Sequence, residues 1–120
     1  MKYSHIFTLS TGESSSKEVT PKFSDTNFVK DTQQVALKDF GDAKNLKFCR
    51  LPKSWEGGWH NSPVKQFVIG VSGSIKMTCS DYSYVTLSAG DVVILEDLTG
   101  KGHHTEVIST EDWHGVLVEL

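Results

Sequence analysis

The chain has 120 residues, enough for one domain of ordinary size and too few for two independent hydrophobic cores. It carries 12 Lys and Arg against 15 Asp and Glu, and a formal net charge of −3 gives no electrostatic attraction toward nucleic acid or a membrane surface. Hydrophobic residues make up 38% and charged residues 22%, values that exclude wholesale disorder. The longest apolar runs, 67–71 and 92–95, are far shorter than the roughly 20 residues of a membrane-spanning helix.

The first third of the chain is polar and gives weak structural signals. Residues 3–9 are predicted as a short strand, and residues 11–17 as a loop because Gly and Ser dominate there. Residues 33–40 fit either a short helix or a strand. Residues 45–51 alternate apolar and polar side chains, which predicts a half-buried strand.

The remaining two thirds is a regular succession of short apolar segments and turns. Glycine-containing turns are predicted at 72–73 and 89–91. No segment shows an amphipathic helix longer than two turns. Short strands about 8–12 residues apart are typical of an all-β barrel or sandwich. We predict strands at 64–71, 75–79, 82–88, 92–95, 103–109 and 115–120.

The two cysteines, Cys49 and Cys79, lie far apart and belong to no CxxC pair. We expect two buried, reduced thiols, and a disulfide between them is the alternative. The N-terminus lacks the long apolar core of a secretory signal peptide. Together these features predict a protein of a reducing, cytoplasmic setting.

Two motifs flank the segment between residues 74 and 90. The first is GWHNSPVKQF at 58–67, and the second is GDVVILEDLTGKGH at 90–103. They resemble the two motifs of the cupins, a superfamily of small jelly-roll (double-stranded β-helix) barrels. The resemblance implies an all-β cupin barrel at residues 45–120. Residues 1–44 are then a less regular N-terminal arm that packs on the barrel or on a partner.

The resemblance also suggests a metal site. In a typical metal-binding cupin the first motif supplies two His and a Glu, and the second supplies another His. His60 and His103 stand at the first and last of these positions, Ser62 at the second His and Gln66 at the Glu. An amide oxygen lacks the charge of a carboxylate, and a serine hydroxyl is a poor ligand.

Three interpretations of these residues stay open. One is a single divalent ion, Fe, Mn, Ni or Zn, bound by His60, Gln66 and His103. Another is a metal-free pocket in which the two imidazoles bind an anionic or carbonyl-bearing ligand. The third is a pair of hydrogen-bonded core histidines without chemistry.

The two-residue period of a strand assigns the side chains around His103 to faces. His103, Thr105 and Val107 share one face, which we expect to point inward, and His104 lies on the other. Asp97 lies in the loop that leads to His103. A carboxylate beside an imidazole fixes its tautomer, as an acid–base pair requires, and capping of the loop is the alternative role.

Aromatic and sulfur-containing side chains complete the candidate ligand site. Trp55 and Trp59 flank a Gly-Gly pair just before His60, and two indoles at a barrel mouth suit a flat or aromatic ligand. The alternatives are that they cover the end of the barrel or lie in a dimer interface. Met77, in the apolar register of the strand at 75–79, is a further candidate for substrate contact.

The sequence leaves several functional hypotheses open. The first is an enzyme of isomerase, lyase or cyclase type that acts on a compact polar or aromatic metabolite by proton transfer. His60 and His103 are then acid and base, Asp97 orients an imidazole, and Gln66 donates to a developing oxyanion. The others are a non-catalytic small-ligand-binding module, a structural dimer, and a cupin oxygenase with a weakly held metal. The resemblance implies a homodimer, and we expect neither nucleic acid nor a membrane as a partner.

Overall fold

The computed structural model describes residues 1–120, which form twelve β-strands and no helix. No helix is therefore available to cross a membrane. The strands are β1 (Tyr3–Thr8), β2 (Ser14–Val19), β3 (Ser24–Thr26), β4 (Val35–Leu37), β5 (Asn45–Leu51), β6 (Glu56–His60), β7 (Gln66–Ser72), β8 (Ile75–Cys79), β9 (Tyr84–Leu87), β10 (Val92–Glu96), β11 (His103–Val107) and β12 (Trp113–Glu119).

Two sheets form a jelly-roll barrel, which confirms the all-β fold predicted from the sequence. The larger sheet has six strands in the order β2-β1-β10-β7-β12-β5, and the smaller has four in the order β6-β11-β8-β9. Within these sheets only β1 and β10 pair in parallel. Strands β3 and β4 pair with each other apart from the barrel.

The core lies between the two sheets and is formed by the side chains on the inward face of each sheet. Along β8 and β11 every second residue is buried, as the alternating sequence predicts. The inward face predicted for His103, Thr105 and Val107 is confirmed, because all three are buried while His104 is on the other face. The core cluster contains Ile6, Val68, Ile75, Met77, Cys79, Val85, Leu87, Val93, Leu95, Val107 and Trp113.

The first 44 residues divide into two structurally different parts. Strands β1 and β2 belong to the six-stranded sheet, where Ile6 and Ser14 are fully buried. Residues 20–44, with β3 and β4, lie almost entirely at the surface. The loop predicted at 11–17 is wrong in its second half, because β2 begins at Ser14. Pairing with β1, and hydrogen bonds from Ser14 and Ser16 to serines after β8, stabilise this polar strand.

Strand β6 is a second element that the sequence pattern missed. Its Gly57-Gly58 pair lowers strand propensity, and residues 56–60 show no apolar alternation. The glycine at 57 has a packing role, since a Cβ there would lie 2.3 Å from the Trp55 ring. Strand β6 forms because Trp55 packs over Gly57 and because β11 supplies its hydrogen-bonding partner.

Candidate active site

A cavity of about 120 Å³ lies inside the barrel. Its wall is mostly apolar, with four polar side chains among thirteen residues. The polar members are His60, Gln66, His103 and Thr105, and the others are Cys49, Leu51, Trp55, Val68, Ile75, Met77, Leu95, Trp113 and Leu117. An apolar pocket with a few convergent polar groups is the usual form of a small-molecule site.

The buried polar side chain of the cavity wall is His103, and behind it Asp97, which does not line the cavity, makes a buried contact with its imidazole. The imidazole Nδ1 lies 2.6 Å from the carboxylate Oδ2, and the two side chains are at most 1% exposed. The loop backbone at Asp97 is held by hydrogen bonds to its carbonyl from Ser62 N and the Asn61 side chain. A carboxylate at Nδ1 favours the tautomer with its proton there, which leaves Nε2 as an acceptor.

His60 stands beside this pair, on the neighbouring strand. His60 of β6 and His103 of β11 are directly opposite each other, and their ring centroids are 4.6 Å apart. The Nδ1 of His60 lies 2.9 Å from the carbonyl oxygen of Gly58, so this ring also carries its proton on Nδ1 when it donates there. Unlike His103, His60 is solvent-exposed and lies at the edge of the cavity.

Gly102 allows the two histidine strands to approach so closely. Its φ is +73°, a left-handed conformation that costs a residue with a Cβ roughly 1–2 kcal/mol. A Cβ at this position would also lie 2.2 Å from the carbonyl oxygen of His60. Glycine is therefore required by both conformation and space immediately before His103.

A buried serine fixes the backbone next to the site. The Ser14 hydroxyl donates to the carbonyl of Gly102 at 2.5 Å and accepts from the backbone N–H of Ser80 at 2.7 Å. It thereby ties β2 to the residues that precede His103 and follow β8. Sequence analysis missed Ser14 because a run of serines after Gly12 looks like a loop, and no local signal marks the buried one.

The two residues at the remaining cupin ligand positions lie close together. The Gln66 amide lines the cavity and donates a long hydrogen bond of 3.4 Å to the Ser62 hydroxyl. Ser62 is 3% exposed and donates to the carbonyl of Val64 at 2.7 Å, outside the cavity wall. Gln66 is thus available to a ligand, whereas Ser62 supports the chain around it.

The two tryptophans are on opposite sides of the barrel wall. Trp55 lines the cavity beside Met77, which is 3% exposed. Trp59 is 55% exposed and packs on the outer face, with its ring 5.8 Å from that of His104. A two-residue strand period requires this separation, since Trp59 is adjacent to the inward-facing His60.

Cys49 and Trp113 line the cavity although sequence analysis did not assign them to the site. Cys49 lies on the inward face of β5, where the alternation over 45–51 could have placed it. Burial raises the pKa of its thiol, which keeps it protonated at neutral pH. Trp113 is 1% exposed, and its indole N–H has no hydrogen-bond partner in the protein. Both cysteines are free thiols.

These residues fit a divalent metal poorly. No group of three His, Cys, Asp or Glu side chains is placed to hold one. The two imidazoles are good metal ligands. The Asp97 carboxylate, however, is already hydrogen-bonded to Nδ1 of His103, and the Gln66 amide brings no negative charge to balance that of the metal. The metal assigned to His60, Gln66 and His103 stays a prediction.

The comparisons with known proteins show the fold. No family model and no curated protein matches the chain. A Cupin 2 conserved barrel domain protein from Salinispora arenicola is 22% identical, with a TM-score of 0.50 over 61% of this chain and 59% of that one. A cupin domain from Bordetella pertussis is 17% identical, with a TM-score of 0.50 over 82% and 93%.

A third structure aligns over almost the whole chain. The Cupin 2 conserved barrel domain protein from Leptotrichia buccalis is 14% identical, with a TM-score of 0.50 over 99% of this chain and 73% of that one. The protein therefore has the cupin fold, which confirms the fold implied by the motifs at residues 58–67 and 90–103. The chain spans about three fifths of the length of the Salinispora protein.

Proposed function

We propose that the protein binds a compact metabolite in the barrel cavity and transfers a proton on it, in a reaction of isomerase, lyase or cyclase type. The observation that supports this most directly is the buried contact between Asp97 and His103. Burying a carboxylate and an imidazole is costly unless they are paired, and a paired imidazole that lines a mostly apolar cavity is an arrangement suited to acid–base chemistry.

In this proposal His103 is the general base. Asp97 holds the proton on Nδ1 and stabilises the imidazolium that forms when Nε2 takes a proton from the substrate. His60 is open to solvent, and as an imidazolium it gives the proton on its Nε2 to a second atom of the substrate. The proton that His103 took up then passes to His60, whose ring centroid is 4.6 Å away, and this restores both rings. The Gln66 amide donates a hydrogen bond to the oxygen on which negative charge develops.

The cavity limits the size of the ligand. An apolar cavity of roughly 150 Å³ holds benzene, so a cavity of about 120 Å³ suits a buried group of that size or smaller. The apolar wall, with Trp55 and Met77, favours a hydrocarbon or aromatic body. The unpartnered indole N–H of Trp113 favours an acceptor oxygen on the same ligand.

The experiment that tests this proposal is proton exchange into small carbonyl compounds in D2O, followed by NMR. We expect the wild type to catalyse exchange at a carbon beside the carbonyl of at least one compound. His103→Gln should slow that exchange by roughly 100-fold or more, in line with loss of a general base. His104→Gln is the matched control, because His104 is the next residue and lies on the outer face with its Nε2 on Glu56. Equal rates in wild type and His103→Gln would contradict the proposal.

A non-catalytic ligand-binding module is the second candidate function. The observation that favours it is the cavity wall, in which nine of thirteen residues are hydrophobic. This function predicts that a small aromatic or carbonyl compound binds and changes the chemical shifts of the cavity residues. No compound that binds should then show catalysed proton exchange in D2O.

Elemental analysis addresses the oxygenase alternative. The protein is purified without a metal-affinity tag and titrated with Fe(II), Mn(II), Ni(II) and Zn(II). Stoichiometric metal that is lost in both His60→Ala and His103→Ala would favour a metal-dependent reaction over the proposed one.

A further inference from the structure

The outer surface of the four-stranded sheet carries exposed aromatic side chains on a polar background. On β8 and β11 every second residue is buried, so the residues between them face outward. The register of the sheet places one outward residue of each strand in a row, Trp59, His104, Thr78 and Tyr84. Tryptophan is mostly buried in proteins, and the other two tryptophans of this chain line the barrel cavity. Packing in the core therefore does not explain why Trp59 is a tryptophan.

A depression of about 430 Å³ opens beside Trp59 on this surface. We call it the outer depression, and its lining residues are Glu13, Trp59, Ser80, Tyr82 and Lys101. None of these residues lines the barrel cavity. Pockets for small molecules measure roughly 300–1,000 Å³, so the outer depression has room for a small molecule or for one unit of a longer one.

Three loops that are far apart in the sequence form the outer depression together with β6. Glu13 directly precedes β2, Tyr82 lies between β8 and β9, and Lys101 lies between β10 and β11. The backbone N–H of Lys101 donates to the carbonyl of Gly12 at 2.9 Å, which joins two of these loops. The outer depression is therefore formed in advance, and a ligand does not have to order it.

Tyr82 is held at the surface by a strained turn. Its φ is +69°, in the left-handed region that disfavours residues with a Cβ, and its side chain is 83% exposed. The turn is fixed by a hydrogen bond from Tyr82 N–H to the carbonyl of Cys79, and by the Asp81 carboxylate, which accepts from the N–H and the hydroxyl of Ser83. Glycine or asparagine would adopt this turn more readily. A fixed, exposed aromatic ring on a strained backbone points to contact between that ring and a ligand.

The charged groups of the outer depression are already paired with each other. The Nζ of Lys101 donates to Oε1 of Glu13 at 2.5 Å, and this hydrogen bond lowers the pKa of Glu13, so both groups are charged at neutral pH. With the Ser80 hydroxyl they place donors and acceptors side by side without net charge. A charged ligand gains no net attraction there, whereas a ligand hydroxyl, which both donates and accepts, can bond to both members of the pair.

These features fit a neutral sugar ring. The faces of a pyranose carry C–H groups, which are attracted to the negative face of an aromatic ring, and its hydroxyls lie around the rim. A flat aromatic ligand would require a mostly apolar wall, but three of the five lining residues are polar. A nucleic acid would require positive charge, and the chain carries −3.

We propose that the outer depression binds a neutral carbohydrate, with a sugar ring packed against Trp59 and Tyr82 and its hydroxyls hydrogen-bonded to Glu13 and Lys101. This goes beyond the proposed function and does not depend on it, since the outer depression and the barrel cavity share no lining residue.

An NMR titration of the full chain with neutral oligosaccharides tests the proposal. The probes are cellotetraose, maltotetraose, mannotetraose, xylotetraose and N-acetylchitotetraose, each at millimolar concentrations. We expect at least one of them to shift the indole N–H signal of Trp59 saturably. The indole signals of Trp55 and Trp113 should stay in place, because both of these residues line the barrel cavity.

Variants of the two aromatic residues identify the site. Trp59→Ala and Tyr82→Gly should each weaken the binding about 10-fold, the loss expected for one aromatic contact. Tyr82→Gly also relieves the left-handed backbone, so it should not lower the free energy of unfolding, and loss of binding is then separated from loss of folding. Tyr84→Ala is the matched control and should bind as the wild type does. Tyr84 is 60% exposed on the same surface, but Nζ of Lys76 covers its ring 4.5 Å from the centroid.

Three results would overturn the proposal. The first is the absence of a saturable shift at Trp59 with every one of these sugars. The second is sugar binding that is unchanged in both Trp59→Ala and Tyr82→Gly, because the sugar would then occupy another site. The third is a shift at Trp59 with adenosine but with none of the sugars, which would assign the outer depression to a flat aromatic ligand.

Discussion

At the scale of single residues, two neighbouring histidines of β11 each contact a carboxylate, one in the interior and one at the surface. His103 and Asp97 are fully buried with 2.6 Å between Nδ1 and Oδ2, while His104 and Glu56 meet at 2.7 Å at the surface. The nitrogen–oxygen distances are nearly the same, so burial decides how much each pair contributes to the free energy of unfolding. A buried donor left without its acceptor costs about 1–3 kcal/mol, whereas an exposed pair contributes about 0–1 kcal/mol.

This contrast yields a stability prediction. Asp97→Ala leaves the Nδ1 proton of His103 without an acceptor and should lower the free energy of unfolding by about 2–3 kcal/mol. Glu56→Ala, the matched change in the exposed pair, should lower it by less than about 1 kcal/mol. Urea denaturation of both variants measures the difference, and equal losses would show that burial of the Asp97 pair has no energetic effect.

Ser14 gives a second prediction at this scale. Ser14→Ala removes both the hydrogen bond to the carbonyl of Gly102 and the acceptor for the N–H of Ser80, and should cost about 1–3 kcal/mol. Ser16→Ala is the control, since Ser16 is bonded to Ser83 only through its own backbone N–H. If Ser14 also positions His103, the resonance of the His103 ring should shift in Ser14→Ala and stay in place in Ser16→Ala. Chemical denaturation and NMR of the two variants check both parts.

At the scale of elements, strands are predicted correctly where apolar and polar residues alternate. They are missed where the strand forms only because it pairs with other parts of the chain. Residues 45–51 and 75–79 alternate clearly, and β5 and β8 have these bounds in the structure. Strands β2 and β6 are rich in Ser or Gly. Strand β2 pairs with the neighbouring β1 and is hydrogen-bonded to the distant Ser80 and Ser83, and β6 pairs with the distant β11. No local pattern in the chain contains that information.

The same distinction holds for the site. The strand period is enough to put His103 inside and His104 outside, and it also separates Trp59 from His60. It cannot reveal that Cys49 and Trp113, from β5 and β12, share one cavity, because that depends on how the two sheets close.

Strand β1 carries His5, whose lowered pKa makes the stability of the folded chain depend on pH. Burial lowers the pKa of His5, with the Glu96 carboxylate 3.4 Å away opposing the shift and Lys17 and Lys65 adding to it. The unfolded chain then binds the proton more tightly than the folded one. His5 therefore contributes stability that is fully present above about pH 6.5 and is lost as the pH falls from there through its folded-state pKa.

The corresponding prediction concerns a variant that cannot titrate. His5→Gln should reduce the loss of unfolding free energy between pH 7.5 and pH 5, while His114→Gln, which changes an exposed histidine on β12, should leave the loss as in the wild type. Urea titrations at the two pH values and at one protein concentration provide the measurement. A pH dependence that is the same in wild type and His5→Gln would contradict the role assigned to burial of this imidazole.

At the scale of the whole molecule, residues 21–44 expose apolar side chains that the barrel does not cover, among them Phe28, which is 69% exposed. A fold whose exposed apolar area is buried only on association gains part of its stability by mass action. The thermal unfolding temperature of such a protein rises with its concentration, whereas that of a monomer does not.

The homodimer that the motif resemblance implies therefore makes a prediction that needs no knowledge of the ligand. Phe48 is 88% exposed on the edge strand β5, and Tyr84, 60% exposed on the edge strand β9 of the other sheet, is the control position. We expect the Tm of the wild type to increase by several degrees between 1 and 100 µM, because a 100-fold change in partner concentration is worth about 2.7 kcal/mol of linkage. Phe48→Glu should have a Tm close to the low-concentration wild-type value and independent of concentration. Differential scanning fluorimetry or calorimetry over this range measures both, with Tyr84→Glu expected to follow the wild type. A wild-type Tm that stays constant over the range would mean that Phe48 and the exposed apolar side chains of residues 21–44 do not contribute to stability through a second copy.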